Sequence, residues 1–102
     1  HYTIIDDCYN ANPASTKASL DVLAKADTRQ IAVLGDMFEL GPTEKQMHYE
    51  VGKYAAGLGI DILVCIGQLS EHMATGASEQ CSKTQVFYFE TKMTFSNRQT
   101  VF

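Results

Sequence analysis

The sequence predicts an α/β fold: a Rossmann-like, mostly parallel sheet flanked by helices. Four short β-favouring runs recur, at Tyr2 to Asp6, Gln30 to Gly35, Asp61 to Gly67 and Gln85 to Phe89. Each is continuous in apolar residues rather than alternating, the pattern of strands covered on both faces. The gaps between the runs are about two dozen residues or slightly fewer and each carries a helix-like stretch, the spacing of βαβ units with right-handed crossovers.

The elements follow in order. After the first strand, a helix is predicted over Ala14 to Ala26, with Asn12 as a candidate N-cap, Pro13 in the initial turn, and Thr16, Leu20, Leu23 and Ala24 on one side. After the second strand, Gly41-Pro42 opens the clearest helix, Thr43 to Leu58, and Gly59 closes it. Met47, Val51, Tyr54, Ala55 and Leu58 recur there at intervals of three and four and form one apolar stripe, while Glu44 in the first turn suits the helix dipole. A third helix, Leu69 to Ala77, has a weaker stripe of Leu69, Met73 and Ala77. A last one is expected from Lys92 to the end of the chain. No internal repeat, low-complexity tract or linker interrupts the series, so residues 1–102 read as one domain.

Composition narrows the function. With 45% hydrophobic residues in 102, a core forms without disulfide or metal staples. A net charge of -4 with no cluster of Lys or Arg lacks the electrostatic footprint for phosphate-backbone binding, so nucleic acid is not an expected partner. Apolar runs such as Ile60 to Ile66, broken by Asp61, fall far short of the roughly 20 residues that span a bilayer, so no membrane is expected either. Cys8, Cys65 and Cys81 are odd in number and widely spaced, and no leader is visible, which fits reduced cytoplasmic thiols. Cys65, inside an apolar run, is expected to be packed in the core.

In parallel sheets ligands bind beyond the carboxyl ends of the strands, which here are Asp6-Asp7, Gly35-Asp36-Met37, Gly67-Gln68 and Glu90. The first loop, Asp6-Asp7-Cys8-Tyr9-Asn10-Ala11-Asn12-Pro13, offers carboxylates for ribose hydroxyls, two amides, a phenol and a helix N-terminus that favours an anion. It reads equally as an Asx-rich turn that caps the helix. The second loop, Leu34 to Pro42, offers Asp36 for an ammonium or hydroxyl and Glu39 for a neighbour or a water; both also read as solvated turn carboxylates. His48 beside the Met47 stripe reads as a partly buried structural histidine, and His1 and His72 as surface residues. The histidines and cysteines show no metal-ligand spacing, so no metal is expected on this chain alone. There is no G-x-x-x-x-G-K-[ST] loop, no G-x-G-x-x-G after the first strand and no G-x-S-x-G elbow, so no catalytic residue is assigned and the chain alone is expected to be inactive.

The run Ile4 to Ser15, the run Ala32 to Gly41, then His48, Val51-Gly52 and Gly59-Ile60-Asp61, in that order and separation, resemble the C-terminal domain of the Mur ligases. The resemblance covers about Tyr2 to Gly67. It implies a three-domain cytoplasmic enzyme of peptidoglycan precursor synthesis, with this domain incomplete at both ends. The best-matching member type joins D-Ala-D-Ala to a UDP-linked muramoyl tripeptide through an acyl phosphate, with ATP and Mg2+ held mainly by the central domain. The resemblance further implies that Asp7, ahead of Asp6, together with Tyr9, Asn10 and Asn12, lies against the nucleotide. It implies that Asp36, Met37 and Glu39 face the cleft where the dipeptide enters. Cys8 and Thr16 depart from the serine and methionine of the family pattern, and the upstream arginine and the last strand, with its Lys-Gly-Ser-Arg-like run, lie outside these residues.

Other readings are the C-terminal domain of another Mur or folylpolyglutamate-type ligase, and a non-catalytic nucleotide-binding or signalling module. A phosphoacceptor domain needs an aspartate at the end of its third strand, where this chain has Cys65-Ile66-Gly67-Gln68.

Overall fold

In the computed structural model of the protein, which describes residues 2–7, 12–80 and 82–90, strands and helices alternate along the chain. The elements are β1 (Tyr2–Asp7), α1 (Pro13–Ala24), β2 (Arg29–Gly35), α2 (Glu44–Gly57), β3 (Ile62–Ile66), α3 (Ser70–Glu79) and β4 (Gln85–Phe89). A 3-10 turn, Gly41–Thr43, leads into α2. The helix expected from Lys92 lies outside the described residues.

The strands pair in the order β1-β2-β3-β4, all parallel, with Ile5 opposite Ala32, Ala32 opposite Leu63 and Leu63 opposite Val86. That row and the next, Leu34, Cys65 and Tyr88, face the helices. Leu20 and Leu23 from α1, Val51 and Ala55 from α2, and Met73 and Ala77 from α3 close over them as one buried cluster. Three successive right-handed crossovers that step in one direction across a sheet must place their helices on the same side. The expected parallel sheet flanked by helices is present, and its described helices all lie on that one face. The opposite face carries Val33, Val64, Ile66 and Phe89 near the middle and exposed Tyr2 and Ile4 at the β1 edge, with Ile4 59% exposed.

The α1 stripe of Thr16, Leu20 and Leu23 is buried as its spacing predicts. Asn12 caps the helix: its side-chain oxygen accepts the Ser15 N–H at 2.8 Å and the Ser15 hydroxyl returns to the Asn12 backbone, a capping box worth about 1 kcal/mol. At the other end the Gln30 side-chain amide donates to the carbonyls of Ala24 and Ala26, and α1 stops at Ala24 rather than Ala26.

In α2 the buried face differs from the apolar stripe. The buried residues are His48, Val51, Gly52, Ala55 and Ala56, whereas Met47, Tyr54 and Leu58 are half-buried. Backbone approach decides this. A Cβ on Gly52 would lie 1.8 Å from the Met73 carbonyl oxygen, and one on Gly76 would lie 2.1 Å from that of Tyr49. Two glycines facing each other's helix let α2 and α3 touch along their backbones, and the small residues rather than the large apolar ones turn inward. Cys65 is buried as expected, and desolvation pushes its thiol pKa well up, so it packs as a small hydrophobe.

Candidate functional site

β1 and β2 are neighbours and run parallel, so the loops that leave them emerge at the same carboxyl edge of the sheet. Asp7 ends β1 opposite Leu34, and Asp6 on the open face is exposed. Tyr9 and Asn10 lie outside the described residues. Asn12 is described, and its side-chain oxygen is engaged in capping α1.

The second loop is held in place at several points. Asp36 leaves β2 and reaches the start of α3, where its carboxylate accepts the Ser70 N–H at 2.8 Å, the Ser70 hydroxyl at 2.7 Å and the Leu69 N–H at 3.3 Å. Leu69 itself has no capping side chain, so this aspartate from another strand supplies the acceptor that the helix start lacks. Its negative charge sits at the positive end of the α3 dipole. Gly67, at φ +117°, makes room for it: a Cβ there would lie 2.3 Å from the carboxylate.

Met37 follows, 1% exposed, with its sulfur taking the Thr16 hydroxyl at 3.9 Å. Its backbone N–H donates to His48 Nε2 at 2.9 Å, and His48 Nδ1 lies 2.6 Å from the Glu44 carbonyl. A carbonyl can only accept and a backbone N–H can only donate, so Nδ1 carries the proton and Nε2 the lone pair. The histidine expected to be partly buried is wholly buried and bonded through both nitrogens.

Beyond Met37 the side chains turn outward. Phe38 is 70% exposed, and Glu39 is exposed with φ +63°, a left-handed conformation that costs an ordinary residue about 1 kcal/mol or more. Leu40 returns to the core and Gly41 takes φ +78°. Of the three second-loop candidates, then, Asp36 and Met37 are engaged within the fold, and Glu39 projects from it.

Tyr88, below this edge on β4, has its phenol pKa raised by burial and then by the negative charges of Glu71, Glu90 and Asp36. The carboxyl edge is thus acidic. Among the described residues no group of three or more His, Cys, Asp or Glu is arranged to hold a metal ion, and no helix is long and apolar enough to cross a membrane.

Sequence reasoning missed the partners of Asp36 and the role of His48. A signal for the first was present: a helix that begins Gln68-Leu69-Ser70 has no N-cap of its own ahead of Ser70 and needs an acceptor from elsewhere. For His48 the signal was a polar residue four before Gly52 on the same helix face.

Residues 1–99 match the family described as "Mur ligase, glutamate ligase domain", well past the Gly67 limit of the motif resemblance. The UDP-N-acetylmuramoyl-tripeptide--D-alanyl-D-alanine ligase of Escherichia coli is 32% identical over 100 residues, covering 96% of this chain and 22% of that protein. The ligase of the same name from Bacillus subtilis is 35% identical over 92 residues, covering 88% and 20%. A crystal structure of MurF from Acinetobacter baumannii superposes with a TM-score of 0.74 at 31% identity, covering 98% of this chain and 22% of that one. The chain therefore spans about a fifth of the length of the relatives it matches. With its motifs, fold and near full-length match in agreement, the chain belongs to the Mur ligase family, as its glutamate ligase domain.

Proposed function

We propose that this chain is the C-terminal domain of a three-domain ligase that adds D-alanyl-D-alanine to UDP-N-acetylmuramoyl-tripeptide in the making of peptidoglycan precursors. The observation that carries the reading is that relatives bearing this one activity in their names align across 88–96% of the chain. In this reading the tripeptide carboxylate is activated at the expense of ATP, as an acyl phosphate, and the dipeptide amine displaces the phosphate. A nucleotide-linked substrate and a need for ATP place the reaction in the cytoplasm.

The chain's part is binding and closure. Asp7 at the end of β1, with Tyr9 and Asn10, is assigned to the ribose side of the nucleotide, and Asn12 holds the loop's far end by capping α1. The first turn of α1 is closed by Asn12 and Ser15, and the chain is acidic, so the triphosphate charge is assigned to a neighbouring domain. Among the described residues no group of three or more His, Cys, Asp or Glu is arranged to hold a metal ion, and Mg2+ is assigned mainly to the central domain. In the second loop, Asp36 and Met37 hold the backbone and Glu39 meets the incoming ammonium; a carboxylate in a closed, water-poor crevice is the natural acceptor for it.

The test is the choice of amine. In the intact protein that carries this chain, ADP release in the presence of the UDP-linked tripeptide should require D-Ala-D-Ala and be near background with glutamate or L-alanine. Turnover with glutamate and none with the dipeptide would assign the chain to a different ligase.

A further inference from the structure

The sharpest unexplained feature at this edge is a buried histidine where the helix face calls for an apolar residue. His48 is fully buried, and burying a polar ring costs free energy unless its nitrogens are bonded. Both are. One bond goes back one turn along α2 to the Glu44 carbonyl and fixes the ring; the other crosses to the Met37 N–H and fixes the loop. Two residues further on, Glu39 stands in the left-handed region. Such a conformation persists only where its surroundings over-determine it. Here the upstream constraint is the Asp36 and His48 pair and the downstream one is Leu40, packed on the core. Between these anchors only Phe38 and Glu39 leave the protein surface.

We propose that His48 is a positioning residue for the amine side of the site: as the Nδ1–H tautomer it holds the Met37 N–H and thereby sets the backbone that aims Glu39 into the crevice. The role in the reaction rests on the assignment of Glu39 to the incoming amine; the clamp itself rests on geometry alone. His48→Gln can place an amide oxygen near the Nε2 position, whereas His48→Phe keeps the ring and loses the acceptor.

The experiment has two arms. In the 102-residue chain, nitrogen NMR of the imidazole should show protonated Nδ1 and unprotonated Nε2, with a coupling across the hydrogen bond to the Met37 amide. An Nε2-protonated ring, or a Met37 amide exchanging as fast as that of Phe38, would overturn the clamp whether or not any variant folds. In the intact ligase, His48→Phe should raise KM for D-Ala-D-Ala about tenfold or more with KM for ATP within about twofold, and His48→Gln should recover most of the loss. Equal changes in both KM values, or no rescue by glutamine, would overturn the positioning role. A wild-type protein with no D-Ala-D-Ala-dependent turnover would instead remove the ligase reading, and the positioning role with it, while leaving the NMR result for the clamp intact.

Discussion

At the amino edge of the sheet Asp61 accepts the Gln30 N–H at 2.8 Å and pairs with Lys83 at 3.2 Å; at the carboxyl edge Asp36 accepts two N–H groups and a hydroxyl at the start of α3. Both aspartates tie one strand's end to another element, and both use backbone donors. Their surroundings separate them. Asp61 has a lysine beside it, and its neighbour Gln30 also closes the end of α1, so the contacts around Asp61 join groups of the amino edge to one another. Asp36 is balanced by a helix dipole, and the loop it holds goes on to an exposed Phe38 and a strained Glu39. In the proposed reading, the contacts of the amino edge serve stability, whereas those of the carboxyl edge also hold Glu39 out toward a ligand.

The largest expected effect ignores the difference between the edges. Gly52→Ala drives a methyl into the Met73 carbonyl and prises α2 from α3, the seam on which both the His48 clamp and the Asp36 latch depend. It should cost about 3 kcal/mol, read as a lower Tm in circular dichroism, and an unchanged Tm would mean the helices do not touch as described.

Next comes a change confined to the carboxyl edge. Asp36→Ala removes the acceptor at the α3 start and should cost about 1–2 kcal/mol in urea unfolding, with new hydrogen exchange at Leu69 and Ser70. Exchange spreading equally to β2 at Gln30 would erase the distinction between the edges.

The smallest stability effect belongs to the amino edge and is a pH dependence. The Gln30 N–H, and after it Lys83, hold the Asp61 carboxyl below the ordinary carboxylate range. A depressed folded value means that the stabilisation is complete above the unfolded value near pH ~4 and is lost as pH falls through the lower folded one. Asp61→Asn should flatten part of that acid limb and leave stability at higher pH only slightly reduced, because the carboxylate is partly exposed and screened. An acid limb identical in both proteins would remove Asp61 from it.

The strand and helix series was legible because apolar runs, Gly41-Pro42, Gly59 and Asn12-Pro13 are local signals, and each described element lies within a few residues of its expected place. What could not be read were contacts between elements distant in sequence. The α2 stripe pointed to Met47 and Tyr54, but Gly52 and Gly76 brought two backbones together and turned His48 inward instead. Asp36 looked like a free carboxylate because its three donors lie more than 30 residues away on the far side of β3. Motif resemblance singled out the second loop but could not divide it into residues held within the fold and residues that project, a division set by tertiary hydrogen bonds.

That division is the central claim, and Glu39 tests it most directly. In the intact ligase Glu39→Gln keeps size and removes charge at the one second-loop candidate that projects from the fold. The account predicts that KM for D-Ala-D-Ala rises about tenfold, with KM for ATP and the Tm nearly unchanged. An unaltered KM for the dipeptide, or an equal rise for ATP, would contradict it.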